Sequence, residues 1–340
     1  MERLARLLST RFQTRLMFFK GYAPTTSTAA FARRLPEWTR DLIRQLVSGT
    51  QVMVFVAPNL TNLALPAIVI LRRIRVLNTR YVVYLGGLPT EKGTSAKSIL
   101  LESALRVGLL NADAIWYNDD PILERFSKAY RPGATFLPNS VDVEIFKPDE
   151  SERNKTRTEL GMSDSFCVGI VGPFDGMYNG PGLAFLQREA SKLPTNMKFL
   201  AVGNLDRPYE GSDYRFIFVG KTSLPDYVNM LRAMDCLVVP RFVRTLCPQN
   251  KVLEAMSVGV PVIQSVKATP PTGSRLGDNL YVVRPEEMID IVQKLIRDTT
   301  NRQRIGKNAR DLIIKRYSLS KVKEIMIESI AQIVAEQWTS

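Results

Sequence analysis

The 340-residue chain contains no histidine and only three cysteines. Without histidine it can form neither a Ser-His-Asp triad nor a histidine metal site. The cysteines, Cys167, Cys236 and Cys247, lack the C-x-x-C spacing of zinc and redox motifs, which indicates a reduced, cytoplasmic compartment. No Asp-x-Asp motif, solenoid-period repeat or low-complexity tract occurs either. The composition, 45% hydrophobic and 23% charged, is that of a globular protein large enough for two domains.

Acidic side chains are scarce in the first part of the chain. Residues 1–100 hold 15 basic and 4 acidic side chains, and they carry +11 of the formal net charge of +13. Such a field attracts phosphate, whether it belongs to a nucleic acid, an anionic membrane leaflet or an acidic substrate. We therefore expect the two parts of the chain to have different tasks.

The first twenty residues combine arginines with apolar residues at a helical spacing. The spacing predicts a basic amphipathic helix, or a helix that runs into a first strand near residues 16–19. A surface helix packed on its own domain and a transit peptide are the alternative interpretations. The apolar positions are Leu4, Leu8, Phe12, Leu16 and Phe19. A second basic cluster consists of Arg72, Arg73 and Arg75. These features predict docking of residues 1–100 on an anionic membrane surface.

Residues 45–71 contain no charge and are mostly apolar, so a membrane span has to be considered. Pro58 and Pro66 interrupt the run, and in lipid such breaks leave backbone groups without partners. We therefore predict a buried strand at residues 51–57 and a helix at residues 60–77.

Short, continuous apolar runs alternate with helix-period segments along the rest of the chain. Strands of this kind are typical of parallel sheets that are covered by helices on both faces. The runs lie at residues 81–85, 114–117, 166–171, 198–202, 216–219, 236–239 and 261–263. They form two sets, joined by a linker at residues 137–147. The sequence thus predicts an α/β fold with two parallel sheets.

Ligands of parallel sheets bind beyond the carboxyl ends of the strands, so the loops there are the candidate site. The first strand of the second set is followed by a glycine-rich loop, Gly172 to Gly182, that leads into a helix. Its glycines would let backbone amides approach a phosphate, although a tight turn would need them equally. Gly220 and Lys221 follow a later strand of the same set.

The most specific segment of the chain is residues 248–263. Pro248 suits the first turn of a helix and Gly259 its C-terminal cap. Glu254 lies on that helix among apolar residues, and a carboxylate in such surroundings needs partners. One interpretation is an ion pair with Lys251, three residues earlier. The other is an acceptor for the vicinal hydroxyls of a ribose, with the helix N-terminus near a diphosphate.

This segment, with residues 218–235 before it, resembles the donor-binding half of family-4 retaining glycosyltransferases of the GT-B fold. Residues 137–148 are similar to the interdomain linker of that family, and the likeness extends from about residue 110 to 335. It implies two Rossmann-like domains that face each other across a cleft. The implied domains are an acceptor-side domain at 1–142, a nucleotide-sugar-binding domain at 143–318, and a helix at 319–340 that crosses back to the first.

The resemblance assigns residues to the donor. Glu254 matches the second glutamate of the Glu-x7-Glu motif, which binds the ribose. Gly220 and Lys221 match the loop whose backbone contacts the base, and Gly172 matches the glycine that ends the first strand of the donor domain.

The chain also departs from the family pattern. The first glutamate of the motif would fall on Leu246, and the diphosphate clamp of arginine and lysine near Pro173 and Asn179. Asn179 is nevertheless a donor-binding candidate by its position. After residues 81–85, Gly86 and Gly87 occupy the acceptor-side position where the family often has histidine. Other cations of the donor loop, namely Arg241, Arg244 and Lys251, are therefore the candidate ligands of the diphosphate. Neither a metal nor a cofactor is expected.

We expect a glycosyltransferase that moves a sugar from a nucleotide-sugar donor to a lipid-linked or saccharide acceptor, with retention of configuration. It would act in the cytoplasm, either free or peripherally on the membrane. One alternative is a catalytically lapsed GT-B protein that binds a nucleotide sugar or partners an active transferase. A basic nucleic-acid-binding protein is the other, although few aromatic residues accompany the cations of residues 1–50.

Overall fold

The computed structural model describes residues 52–57, 64–86, 96–118, 120–126, 133–174, 179–205, 213–245 and 247–335. The helix expected within residues 1–20 lies outside these ranges. The chain divides into two compact units, Met1–Leu137 with Lys323–Ser340, and Pro138–Val322. The sequence places the corresponding domain boundaries after residues 142 and 318.

The described part of the first unit is built on a parallel sheet. Its strands, in the spatial order β1-β2-β3-β4, are β1 (Val52–Ala57), β2 (Arg80–Leu85), β3 (Ala114–Tyr117) and β4 (Thr135–Phe136). Its helices are α1 (Leu65–Arg73), α2 (Ala96–Asn111) and α3 (Asp120–Phe126). In the register of the three longer strands Phe55 pairs with Val83, and Val83 with Ile115. All three side chains are buried, as expected for a parallel sheet covered by helices.

The strand predicted at residues 51–57 is confirmed, whereas the helix predicted at residues 60–77 ends earlier, at Arg73. Helix α1 begins after Ala64 and has a proline, Pro66, in its first turn. It ends before Arg75, whose φ of 57° is left-handed and incompatible with a continuing helix. No helix of the described ranges is long and apolar enough to cross a membrane.

The arginine cluster at the end of α1 is only partly exposed. Arg72 donates to both carboxylate oxygens of Asp113, at 2.8 and 2.9 Å, and Arg80 donates to the same carboxylate at 2.7 Å. Arg73 and Arg75 are exposed. Of the three arginines expected to contact a membrane, Arg72 is therefore paired with a carboxylate of the protein itself.

The second unit contains a larger parallel sheet. In the spatial order β10-β9-β8-β5-β6-β7, its strands are β5 (Phe166–Val171), β6 (Met197–Val202), β7 (Phe216–Val219), β8 (Cys236–Val239), β9 (Val262–Ser265) and β10 (Tyr281–Val283). Its helices are α4 (Glu150–Glu159), α5 (Gly180–Glu189), α6 (Leu224–Ala233), α7 (Asn250–Ser257), α8 (Met288–Arg297) and α9 (Thr299–Arg316). The five strands predicted here are confirmed to within two residues, and β10 was not predicted.

An ionic cluster fixes the amino-terminal edge of this sheet. Asp235, directly before β8, accepts from Arg153 at 2.6 Å, from Arg157 at 3.1 Å and from the backbone amide of Cys167 at 2.8 Å. Burial raises the pKa of the Cys167 thiol to about 12. Because the two guanidinium groups come from α4, Asp235 joins that helix to β5 and β8.

The last helix, α10 (Leu319–Ala335), begins in the second unit, and its residues from Lys323 onward belong to the first. Within the second unit, Val141 donates to the carbonyl of Tyr317 and accepts from the amide of Leu319, both at 2.8 Å. Within the first unit, the indole of Trp116 donates to the hydroxyl of Ser329 at 2.9 Å. The first residue of the helix is thus bonded to the second unit, and its middle is bonded to the first.

Candidate functional site

The strand order of the second unit reverses between β5 and β8. The chain runs outward from β5 to β6 and β7, and then returns to place β8 on the other side of β5. At such a switch point the loops after the two central strands diverge and leave a crevice at the carboxyl ends of the strands. The topology therefore places the candidate site at the loops that follow β5 and β8.

Two glycines bring the loops after β5 and β6 together. Gly172 and Gly203 have φ values of 137° and 140°, in the region that favours glycine. A Cβ atom on Gly203 would lie only 2.0 Å from the carbonyl oxygen of Gly172. A Cβ atom on Gly172 would in turn lie 2.5 Å from Nδ2 of Asn179. The glycines thus allow both the backbone contact and the approach of the asparagine side chain.

Asn179 and Lys251 meet at the end of β5. Asn179 is 6% exposed and precedes α5, and its Nδ2 donates to the carbonyl of Pro173 at 2.7 Å. Lys251, in the first turn of α7, donates from Nζ to Oδ1 of Asn179 at 2.9 Å and to the carbonyl oxygen of Val171. Three residues that the sequence assigned to the donor, Gly172, Asn179 and Lys251, therefore lie at one point.

The ammonium group of Lys251 is held in an unfavourable environment. Burial, together with the nearby cation Arg241, lowers its pKa from 10.5 to about 7. The guanidinium of Arg241 donates to Oε1 of Gln249 at 2.9 Å, directly before α7. The two basic groups together create a positive electrostatic potential, so this point of the crevice favours the binding of an anion.

Glu254 lies one turn further along α7, and its partner is a tyrosine. The hydroxyl of Tyr227, on α6, donates to Oε2 of Glu254 at 2.8 Å. Burial and the adjacent carboxylate raise the pKa of Tyr227. The Lys251 ammonium points to the end of β5, so the ion pair between Lys251 and Glu254 that the sequence left open is not what the structure shows.

The remaining donor-side residues lie on exposed loops. Gly220 and Lys221 connect β7 to α6, and a Cβ atom on Gly220 would have no other described heavy atom within 4 Å. Arg244, in the loop between β8 and α7, is exposed and forms no hydrogen bond or ion pair with the described part of the chain. Leu246, which replaces the first glutamate of the motif, lies outside the described ranges.

The ends of α7 differ slightly from the prediction. Helix α7 begins at Asn250 after the N-cap Gln249, so Pro248 precedes the helix instead of opening its first turn. Gly259 follows the C-cap residue Val258 and has a φ of 81°, which confirms its role in ending the helix.

In the first unit, Gly86, one of the two predicted acceptor-side glycines, directly follows β2. A Cβ atom on Gly86 would lie 2.8 Å from the ring of Tyr84, and Gly87 lies outside the described ranges. Sequence reasoning missed Asn118, which follows β3 and donates from its backbone to the carbonyl of Leu85 at 3.4 Å. It is 5% exposed, and its Oδ1 has no hydrogen-bond partner in the described part of the chain. A buried polar residue directly after a strand is the signal that could have identified it.

Part of the chain matches a known protein family. Residues 166–298, which contain the crevice loops, match the family described as Glycosyl transferases group 1. No curated protein matches the chain by sequence.

Solved structures match over both units. HepE (Alr3699) of Anabaena, in complex with UDP, superimposes with a TM-score of 0.70 at 18% identity, covering 87% of this chain and 82% of HepE. Sucrose-phosphate synthase of Thermosynechococcus elongatus gives 0.67 at 18% identity, covering 93% and 82%. WaaG, a glycosyltransferase involved in lipopolysaccharide biosynthesis, gives 0.65 at 15% identity, covering 95% and 94%. The chain thus has the fold of GT-B glycosyltransferases, as the sequence predicts.

Proposed function

We propose that the protein is a glycosyltransferase that moves a sugar from a nucleotide-sugar donor to a lipid-linked or saccharide acceptor, with retention of configuration. The observation that carries the proposal is the switch-point site. There Lys251 bonds Asn179, and Glu254 lies one turn further along the same helix, inside the segment that matches a glycosyltransferase family. The solved structure of Anabaena HepE with UDP-glucose supports a nucleotide sugar as the donor.

In this proposal α7 binds the donor through two successive turns. Glu254 accepts hydrogen bonds from the ribose hydroxyls, and the base lies against the loop of Gly220 and Lys221. The diphosphate lies near Lys251 and Asn179, where the backbone amides in the first turn of α5 add further donors.

The leaving nucleoside diphosphate carries the charge that develops when the bond to the sugar breaks. Cations that are already positioned stabilise this charge without any reorganisation at the moment of reaction. Lys251 provides one cation, and we propose Arg244 as the second, because its side chain lies on the loop between β8 and α7. This pair would replace both a metal ion and the clamp that the family has near Pro173 and Asn179.

A catalytically lapsed GT-B protein is the second candidate. It is favoured by Leu246, which stands where the family has the first glutamate of its motif. Such a protein would bind the nucleotide sugar without turnover. The two candidates therefore differ in turnover and not in binding.

Incubation with UDP-, GDP- and ADP-sugars, with separate measurement of binding and of donor hydrolysis, tests these proposals. We expect one donor both to bind and to be consumed. Replacement Glu254→Gln should weaken nucleotide binding by about 10- to 100-fold, because it removes a charge-assisted hydrogen bond. Glu286→Gln, at an exposed glutamate of the same unit, is the matched control. Binding without turnover would select the lapsed protein, and unchanged affinity in a folded Glu254→Gln variant would refute the site.

We further propose that the first unit docks on an anionic membrane in the cytoplasm, where a lipid-linked acceptor can reach it. Exposed apolar side chains on α1, the turn after it and α2 support this, next to the exposed Arg73 and Arg75. The apolar side chains are Ile70, Ile74, Val76, Ile99, Leu100, Val107 and Leu110. Apolar insertion and cation attraction add in such binding, which weakens as salt rises.

Co-sedimentation with phosphatidylglycerol and phosphatidylcholine vesicles tests the docking. We expect binding to the anionic vesicles at low salt, and weaker binding for the Ile70→Ser/Ile74→Ser double variant. Leu276→Ser, at an exposed leucine of the second unit, is the control. Equal binding to both kinds of vesicle, or binding to neither, would contradict the proposal.

A further inference from the structure

We infer that Tyr227 is a positioning residue for nucleotide recognition: its hydroxyl holds the carboxylate of Glu254 in the orientation that the donor ribose requires. The inference rests on the proposed function, because it assigns the ribose to Glu254. It adds a residue that no sequence motif indicated.

The geometry gives Tyr227 a fixed place. It lies in the first turns of α6, where its backbone amide donates to the carbonyl of Ser223 at 2.9 Å. Its ring packs edge-on against Phe146, with centroids 6.2 Å apart and planes at 75°. Its hydroxyl donates to Oε2 of Glu254 at 2.8 Å. Because the ring is held by packing, the hydroxyl position, and with it the carboxylate orientation, is set by the core of the unit.

Tyr227 also connects two parts of the proposed donor site. Ser223 caps α6 by accepting from the amide of Asp226, which fixes the helix to the loop that contains Gly220 and Lys221. Glu254 lies on α7, the helix that also carries Lys251. The hydrogen bond from Tyr227 to Glu254 therefore joins the loop expected at the base to the helix expected at the ribose and the diphosphate.

The protonation state of Tyr227 keeps its hydrogen bond to Glu254 in one direction. Burial, with the neighbouring carboxylate, raises the pKa of Tyr227, so the phenol stays protonated and remains a donor at neutral pH. Glu254 is thereby presented to the ribose as an oriented acceptor. Loss of the phenol hydroxyl would remove the hydrogen bond that sets the orientation of the carboxylate, which weakens its bonds to the ribose hydroxyls specifically.

Calorimetry with UDP and 2′,3′-dideoxy-UDP tests the inference on the full-length protein. The ratio of the two affinities measures ribose recognition, and we expect about 10- to 100-fold in favour of UDP. In Tyr227→Phe this ratio should fall at least about threefold, while the affinity for dideoxy-UDP stays unchanged. Tyr281→Phe is the matched control, since the hydroxyl of that buried tyrosine accepts from Asn301 in the same unit, at 3.3 Å.

A structural role alone would lower both affinities equally and leave the ratio intact, and that result would overturn the inference. A double variant, Tyr227→Phe with Glu254→Gln, provides a second test that does not depend on the stability of one protein. If Tyr227 acts through Glu254, the double variant has the ratio of Glu254→Gln alone, whereas a further drop contradicts the coupling.

Failure of the proposed function would look different. A wild-type protein that binds UDP and dideoxy-UDP equally, or that binds neither these nor the ADP and GDP pairs, removes the ribose assignment of Glu254 and the inference with it. A wild-type protein that discriminates while Tyr227→Phe keeps the full ratio refutes Tyr227 only.

Discussion

The amine of Lys251 should couple nucleotide binding to proton uptake. In the free protein, burial and Arg241 hold its pKa at about 7 instead of 10.5. A bound diphosphate stabilises the charged form and raises the pKa again. Binding at a pH above about 7 therefore draws a proton from solution, and the affinity must fall as the pH rises through that value.

The size of the effect follows from the pKa. At about pH 8 roughly nine tenths of the Lys251 side chains are neutral in the free protein, so binding should take up about 0.9 proton. If the diphosphate restores the ordinary pKa, the affinity should decrease about 16-fold between about pH 7 and pH 8.5, or about 1.6 kcal/mol. At about pH 6 the uptake should be close to 0.1 proton.

Calorimetry of UDP binding in two buffers of different ionisation enthalpy measures the proton uptake directly. The chain is well suited to this experiment because it contains no histidine that would titrate in the same range. Lys251→Arg is the most direct control, because a guanidinium remains charged over this whole pH range. This substitution should abolish the proton uptake. Arg232→Lys, at a residue of α6 whose guanidinium donates to the carbonyl of Lys147, should leave the proton uptake unchanged.

Two results would refute this reasoning. A wild-type uptake below about 0.2 proton at pH 8 would show that the diphosphate does not change the charge of Lys251. Equal uptake in wild type and Lys251→Arg would show that another group is responsible.

Two further predictions concern stability and are measured by urea denaturation. Gly203→Ala should destabilise the protein by at least about 2 kcal/mol, since its Cβ atom would collide with the carbonyl of Gly172 at a φ that favours glycine. The control Gly220→Ala should change the free energy of unfolding by less than about 0.5 kcal/mol. Equal effects of the two substitutions would contradict the argument. Asp235→Asn should lower the free energy of unfolding by about 3–5 kcal/mol, because two partly buried arginines lose their counter-charge. A decrease below about 1 kcal/mol would mean that solvent screens the cluster.

Strands could be predicted well because their signal is local. Buried parallel strands such as β5 and β8 are continuous apolar runs, and each position of β8 is buried in the structure. Strand β10 was missed because it has three residues and only Tyr281 is buried. The early end of α1 depends on the left-handed φ of Arg75, an arginine that carries no turn signal in the sequence.

The candidate site could be predicted only in part, because its contacts are made between distant segments. The three-residue spacing of Lys251 and Glu254 on one helix suggested an ion pair between them. In the structure Lys251 instead bonds Asn179, 72 residues away, and Glu254 bonds Tyr227, 27 residues away. A family motif indicates which residues meet the ligand, but it does not indicate which side chains hold them. The assignment of these residues to the donor remains a prediction.

The three cysteines give the protein a built-in set of chemical reporters. Cys167 and Cys236 are fully buried at the start of β5 and β8, whereas Cys247 is half-buried in the loop that leads to α7. A thiol reagent can therefore reach Cys247 through small openings of the loop, but reaches the other two only when the sheet itself separates. The rates of modification should separate into a fast and a slow class. The fast class reports the openings of the loop between β8 and α7, and the slow class reports the global unfolding equilibrium of the second unit, without any engineered label.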